Sequence, residues 1–133
     1  MTYYHGRSKS RPYYGSHIYI TSSLEYASLY SDEGFVYECE LLISPSELFS
    51  IKNERHRELL NKQISQQIMD KFNLQEEIDW AQLSYLCNEN FEEPQDLLKH
   101  LGFKGVFLKE RTNADSLYIF NQEDVLLGKK VAT

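Results

Sequence analysis

The sequence predicts an α+β fold, with a mainly antiparallel sheet drawn from both ends of the chain and a helical stretch between about 53 and 101. Three observations predict it. Short aromatic and β-branched runs open the chain at Thr2–His5, Ile18–Ile20 and Phe35–Ile43. A middle stretch carries apolar residues at helical spacing, with Leu60, Ile64 and Ile68 on one stripe. Strand-like runs then return at Gly105–Leu108, Leu117–Phe120 and Val125–Leu127. The 133 residues are expected to form one domain, 1–133, long enough to bury a core.

Each element has a local reason. Gly6 ends the first strand, and a loop with Arg7, Lys9 and Arg11 follows, bracketed by Pro12 and Gly15. Ser22 stands three residues before Glu25, the spacing of a capping box, so a helix is expected to start directly after Ile18–Ile20 and run to Tyr30. Asp32-Glu33-Gly34 makes a turn. From Phe35 to Ile43 the odd-numbered residues are apolar and Glu38 and Glu40 are not, which predicts a strand with one buried face. Ser44-Pro45-Ser46-Glu47 repeats the capping spacing with proline at the first helical position, predicting a short helix through Phe49. Helices are then expected over 54–72, from the Asn73/Glu76 cap onward, and over 94–101, where Gly102 suits the C-terminal cap.

Composition excludes several functions. Hydrophobic residues at 41% and charged residues at 26% describe a folded domain. A net charge of −6 speaks against direct binding to nucleic-acid backbones. No apolar run reaches membrane-spanning length, no signal-peptide core is present, and Cys39 and Cys87 read as two buried free thiols, so a cytoplasmic location is expected. The four histidines and two cysteines lack metal-ligand spacing, so no metal is expected. Phosphate-loop, dinucleotide-fold and serine-hydrolase motifs are all missing. Six of the ten tyrosines fall in the first 26 residues, an aromatic concentration that suits either a core or stacking on a flat ligand.

Three pieces of sequence remain: Tyr4-His5-Gly6, then Ile18-Tyr19 with Ala27-x-x-Tyr30, and Leu117-Tyr118-Ile119-Phe120-Asn121. In order and spacing they resemble the ADP-ribosyltransferase superfamily, in its His–Tyr–Glu branch of diphtheria-type toxins and poly-ADP-ribose polymerases. Leu101-Gly102-Phe103-Lys104-Gly105-Val106 is similar to a strand that small relatives carry before the acidic motif. The likeness covers both ends of the chain and not the region from about 53 to 95. In size and layout the chain also resembles small phage-encoded members that act as anti-CRISPR proteins. One position departs: counting from Phe120-Asn121, the family's glutamate falls on Ser116, and the nearest carboxylate is Asp115.

The resemblance implies a split antiparallel sheet, NAD as substrate and a protein acceptor, in the cytoplasm of a bacterial host. It implies Asp115, His5 and Tyr19 as catalytic residues, with Ser116 and Glu110 as alternatives for the acid. It implies NAD contacts from Tyr4, Gly6, Arg7, Thr21, Ala27, Tyr30 and Ser116. His5 would bond the adenosine ribose, the Gly6 backbone the nicotinamide amide, and Tyr19 and Tyr30 would enclose the nicotinamide ring. The polar loop from Lys109 to Asp115 carries no Glu-x-Glu pair, which speaks against the arginine-modifying branch. Two other readings stay open: an NAD glycohydrolase with water as acceptor, and a non-enzymatic binding protein that uses the aromatic, basic N-terminal loop.

Overall fold

A computed structural model describes residues 2–7, 16–32, 34–64, 94–108 and 115–133. The fold is α+β, with seven strands and three α-helices among the described residues. The chain divides into two compact units, Met1–Ser44 with Glu110–Thr133, and Pro45–Lys109.

The first unit contains β1 (Tyr3–His5), β2 (Ile18–Thr21), α1 (Leu24–Ser28), β3 (Phe35–Leu41), β6 (Ser116–Ile119) and β7 (Val125–Ala132). Its five strands pair antiparallel in the order β6-β2-β1-β3-β7. Chain segments more than 90 residues apart therefore lie side by side, with Ile18 against Ile119 and Thr21 against Ser116. Ile18, Ile20, Leu117 and Ile119, which share one sheet face, are each at most 2% exposed. That is the core expected of β-branched and leucine side chains at period two.

Both faces of β3 contribute to this packing. The sequence predicts one buried face through Cys39, and Cys39 is buried, but so is Val36 on the opposite face. The reason is α1, which packs over the Val36 side. A side chain on Gly6, which shares that face, would overlap the Ala27 carbonyl and crowd Tyr30 Cβ at 3.2 Å. The Cys39 thiol is free, and burial pushes its pKa up to about 12; Cys87 lies outside the described residues.

The second unit contains β4 (Leu48–Phe49), α2 (Glu54–Asn61), α3 (Pro94–His100) and β5 (Gly105–Leu108). The helix predicted through Phe49 is instead one 3-10 turn, Pro45–Glu47, followed by β4. Pairing overrides the local signal: Leu48 and Phe49 run parallel to Gly105 and Val106, and Lys104 N–H donates to the Glu47 carbonyl at 2.8 Å. Asn53 caps α2 through bonds from the Arg55 and His56 amides. The helix predicted to reach residue 72 stops at Asn61, where the amides of Lys62 and Gln63 tighten onto carbonyls three residues back. Its continuation over 65–72, and the helix expected from Asn73, lie outside the described residues. His56 accepts the Ser50 N–H at Nδ1 and packs between Phe49 and Phe103. Gly102 ends α3 as expected, with φ of 97° and bonds from the Gly102 and Phe103 amides to the Lys99 and Leu98 carbonyls.

Candidate functional site

The candidate residues gather where β1, β2 and β6 lie together. Tyr4 stands opposite Thr21, so alternation along the strands assigns Tyr4, Gly6, Tyr19 and Thr21 to one sheet face. Ser116 and Tyr118, opposite Thr21 and Tyr19, share it. Tyr3 and His5 take the other face, with Cys39 and Tyr37 as their β3 partners. The site is thus divided: Gly6 lies against Ala27 and Tyr30 of the α1 segment, Tyr19 shares the Gly6 face, and His5 on the other face bonds the Tyr19 carbonyl.

His5 is only 4% exposed, and both ring nitrogens are engaged. Arg7 Nε–H donates to His5 Nε2 at 3.0 Å, which leaves Nδ1–H to donate to the Tyr19 carbonyl at 2.7 Å. The imidazole is neutral. Burial, with a smaller contribution from the Arg7 charge, lowers its pKa to about 4, against the upward pull of the Tyr19 bond. The Arg7 guanidinium also lies 5.7 Å from the Tyr37 ring centre.

This pKa has a consequence for stability. Because the folded value lies below the unfolded one, the unfolded chain takes up the proton first as the pH falls. The stability held above pH 6.5 is lost between 6.5 and 4. Between pH 7 and 5 the loss from this group is about 2 kcal/mol. His5→Gln is expected to remove that increment, measured as the difference in unfolding free energy at the two pH values. Equal losses in parent and variant would show that His5 is not its source.

Asp115 is exposed at the start of β6, and Ser22 holds its backbone from both sides. Ser22 N–H donates to the Asp115 carbonyl at 2.9 Å, and Asp115 N–H donates to Ser22 Oγ at 3.0 Å. The Asp115 charge is close enough to Tyr3 to add to the burial that raises the phenol pKa. Ser116 is buried instead, its hydroxyl donating to Thr21 Oγ1 at 3.3 Å, and Thr21 Oγ1 also accepts Ser23 N–H. The capping serine is therefore Ser23, which takes the Tyr26 amide at 3.0 Å, and not Ser22 as the sequence predicts. Ser22 is drawn away by Asp115. Glu110, Lys9, Arg11, Tyr13 and Tyr14 lie outside the described residues.

The aromatic rings form two groups. Tyr19, 37% exposed, meets Tyr118 edge-on at 4.7 Å, and His17 stacks on Tyr118 at 4.9 Å. Tyr30, 54% exposed, pairs with Tyr26 one helical turn earlier through ring contact and a 3.1 Å hydroxyl bond. The helix expected to carry Tyr30 ends at Ser28, leaving Tyr30 in the following turn, where its amide bonds the Ala27 carbonyl. Both rings keep open surface, as a ring-stacking role requires. Sequence reasoning missed Tyr118 and His17 as the supports of Tyr19. The alternation of Tyr118 with Leu117 and Ile119 was visible, but its register against Tyr19 was not.

Among the described residues, no cluster of histidine, cysteine or carboxylate side chains is arranged to hold a metal, and no helix is long and apolar enough to cross a membrane. The chain matches no protein-family model, no curated protein and no solved structure.

Proposed function

We propose that the protein is an ADP-ribosyltransferase that takes NAD as substrate and moves ADP-ribose to a side chain of a protein. One observation carries the reading. The pieces that resemble the superfamily, far apart in sequence, lie on adjacent strands in the order β6-β2-β1, with an exposed carboxylate fixed beside the end of β2. Their side chains suit the chemistry. Tyr19 and Tyr30 offer exposed faces to a flat ring, and Arg7 is a guanidinium within reach of His5 for a diphosphate.

In the reaction, the bond between ribose C1′ and the nicotinamide nitrogen breaks, and its electron pair leaves with nicotinamide. Positive charge builds on the ribose ring, and a carboxylate stabilises it, the role assigned to Asp115. The acceptor's lone pair then forms the new bond to C1′ and its proton is released. His5, neutral with its Nδ1–H committed to Tyr19, offers Nε2 as an acceptor to a ribose hydroxyl once Arg7 turns to phosphate. The reading has the protein acting in a bacterial cytoplasm as a phage-encoded inhibitor of a host defence complex.

Incubation with NAD labelled in the adenylate portion and a bacterial lysate tests it. A labelled protein band that depends on the enzyme is expected. Nicotinamide release without labelling would make the protein a glycohydrolase. No NAD turnover at all would leave a binding module.

A further inference from the structure

We infer that Ser22 is the positioning residue that aims Asp115, an inference that rests on the reading just proposed. The register of β2 and β6 continues from Thr21 opposite Ser116 to Ser22 opposite Asp115. In an antiparallel ladder such a pair exchanges two main-chain bonds. Here only one is of that kind, from Ser22 N–H to the Asp115 carbonyl at 2.9 Å. The chain turns at Ser22 into α1, so its carbonyl leaves the ladder. Its hydroxyl takes over and receives the Asp115 N–H at 3.0 Å.

The substitution has a reason in the neighbours. Ser23 is occupied as the cap of α1, and Thr21 is occupied by Ser116 and the Ser23 amide. Of the three hydroxyl residues in a row, Ser22 alone bonds Asp115. Its hydroxyl fixes the peptide from which the exposed carboxylate projects. A group that acts on charge developing in the transition state loses rate steeply when displaced, because misplacement by about 1 Å costs up to about 100-fold. Sequence spacing hides this role, since Ser22 reads as a helix cap.

The test compares Ser22→Ala, Ser22→Thr and Asp115→Asn with the parent, by steady-state NAD turnover and by amide hydrogen exchange. Ser22→Ala is expected to lower kcat about tenfold or more with KM for NAD unchanged, and to speed exchange at the Asp115 amide. Ser22→Thr, which keeps the hydroxyl, is expected to restore both. Parental kcat in Ser22→Ala while Asp115→Asn is dead would overturn the inference and leave the proposed function standing. So would unchanged exchange at Asp115, or a loss that Ser22→Thr does not rescue. A fully active Asp115→Asn would overturn this inference and move the acid elsewhere, and a parent without NAD turnover would overturn the proposed function and this inference with it.

Discussion

Asp115→Asn is expected to keep the fold and NAD binding and to lose ADP-ribose transfer by at least about 100-fold, the scale on which single transition-state-stabilising groups act. The carboxylate is exposed, and its fixed contacts run through its backbone, which asparagine keeps. Charge is the only property removed. Ser116→Ala is expected to act differently. Ser116 is buried against Thr21, whose hydroxyl keeps the Ser23 amide as a partner, so its loss costs about 0.5–1.5 kcal/mol of stability through one lost hydrogen bond, with a smaller effect on turnover. Single-turnover kinetics beside a melting curve separates the two cases. If Asp115→Asn turns over NAD at the parental rate, the acid lies elsewhere, with Glu110 the next to test.

Tyr118→Ala is expected to have the largest effect on stability, about 3–5 kcal/mol. Tyr118 is 1% exposed, and His17, Tyr19 and Phe120 all pack against its ring. A loss of that size is a large part of a domain's total stability. Tyr30→Ala is the contrast. Tyr30 is half exposed and touches mainly Tyr26, so it is expected to cost only about 1 kcal/mol while weakening the binding of nicotinamide. Urea unfolding of both variants, with nicotinamide titration of Tyr30→Ala, reads the two effects apart. A large stability loss in Tyr30→Ala would make that ring part of the core and remove it from the site.

The sequence made the strands β1, β2, β5 and β6 legible because each is a short β-branched or aromatic run beside a turn residue. The α3 helix and its Gly102 cap were legible for the same local reasons. What escaped was set by pairing. Leu48-Phe49 reads as helix because Pro45 and Glu47 precede it, and becomes strand because Gly105 and Val106 lie beside it. β7 extends to Ala132 rather than Leu127 because Gly128, Lys129 and Lys130, poor strand formers, are carried along by β3. Gly128 belongs there for a local reason, since a Cβ would stand 2.9 Å from the Glu38 carbonyl at the register shift.

The candidate site shows the same division. His5, Tyr19 and Asp115 were nameable because each lies in or beside a short strand motif that carries the family resemblance. That His5 bonds the Tyr19 carbonyl, and that Ser22 serves Asp115 and leaves the cap to Ser23, depends on contacts across 14 and 93 residues of sequence. No local pattern records those contacts. Gly6 is the instructive case. The family resemblance gives that glycine to the nicotinamide amide, whereas the requirement the structure shows is the Ala27 carbonyl of α1, which a side chain would overlap.

Calorimetric titration of NAD into the purified protein tests most directly whether the protein takes NAD. Saturable binding to the parent is expected, with clearly weaker binding to a folded His5→Ala variant. Absence of heat with the parent at millimolar NAD, or identical binding by the two proteins, would contradict the account.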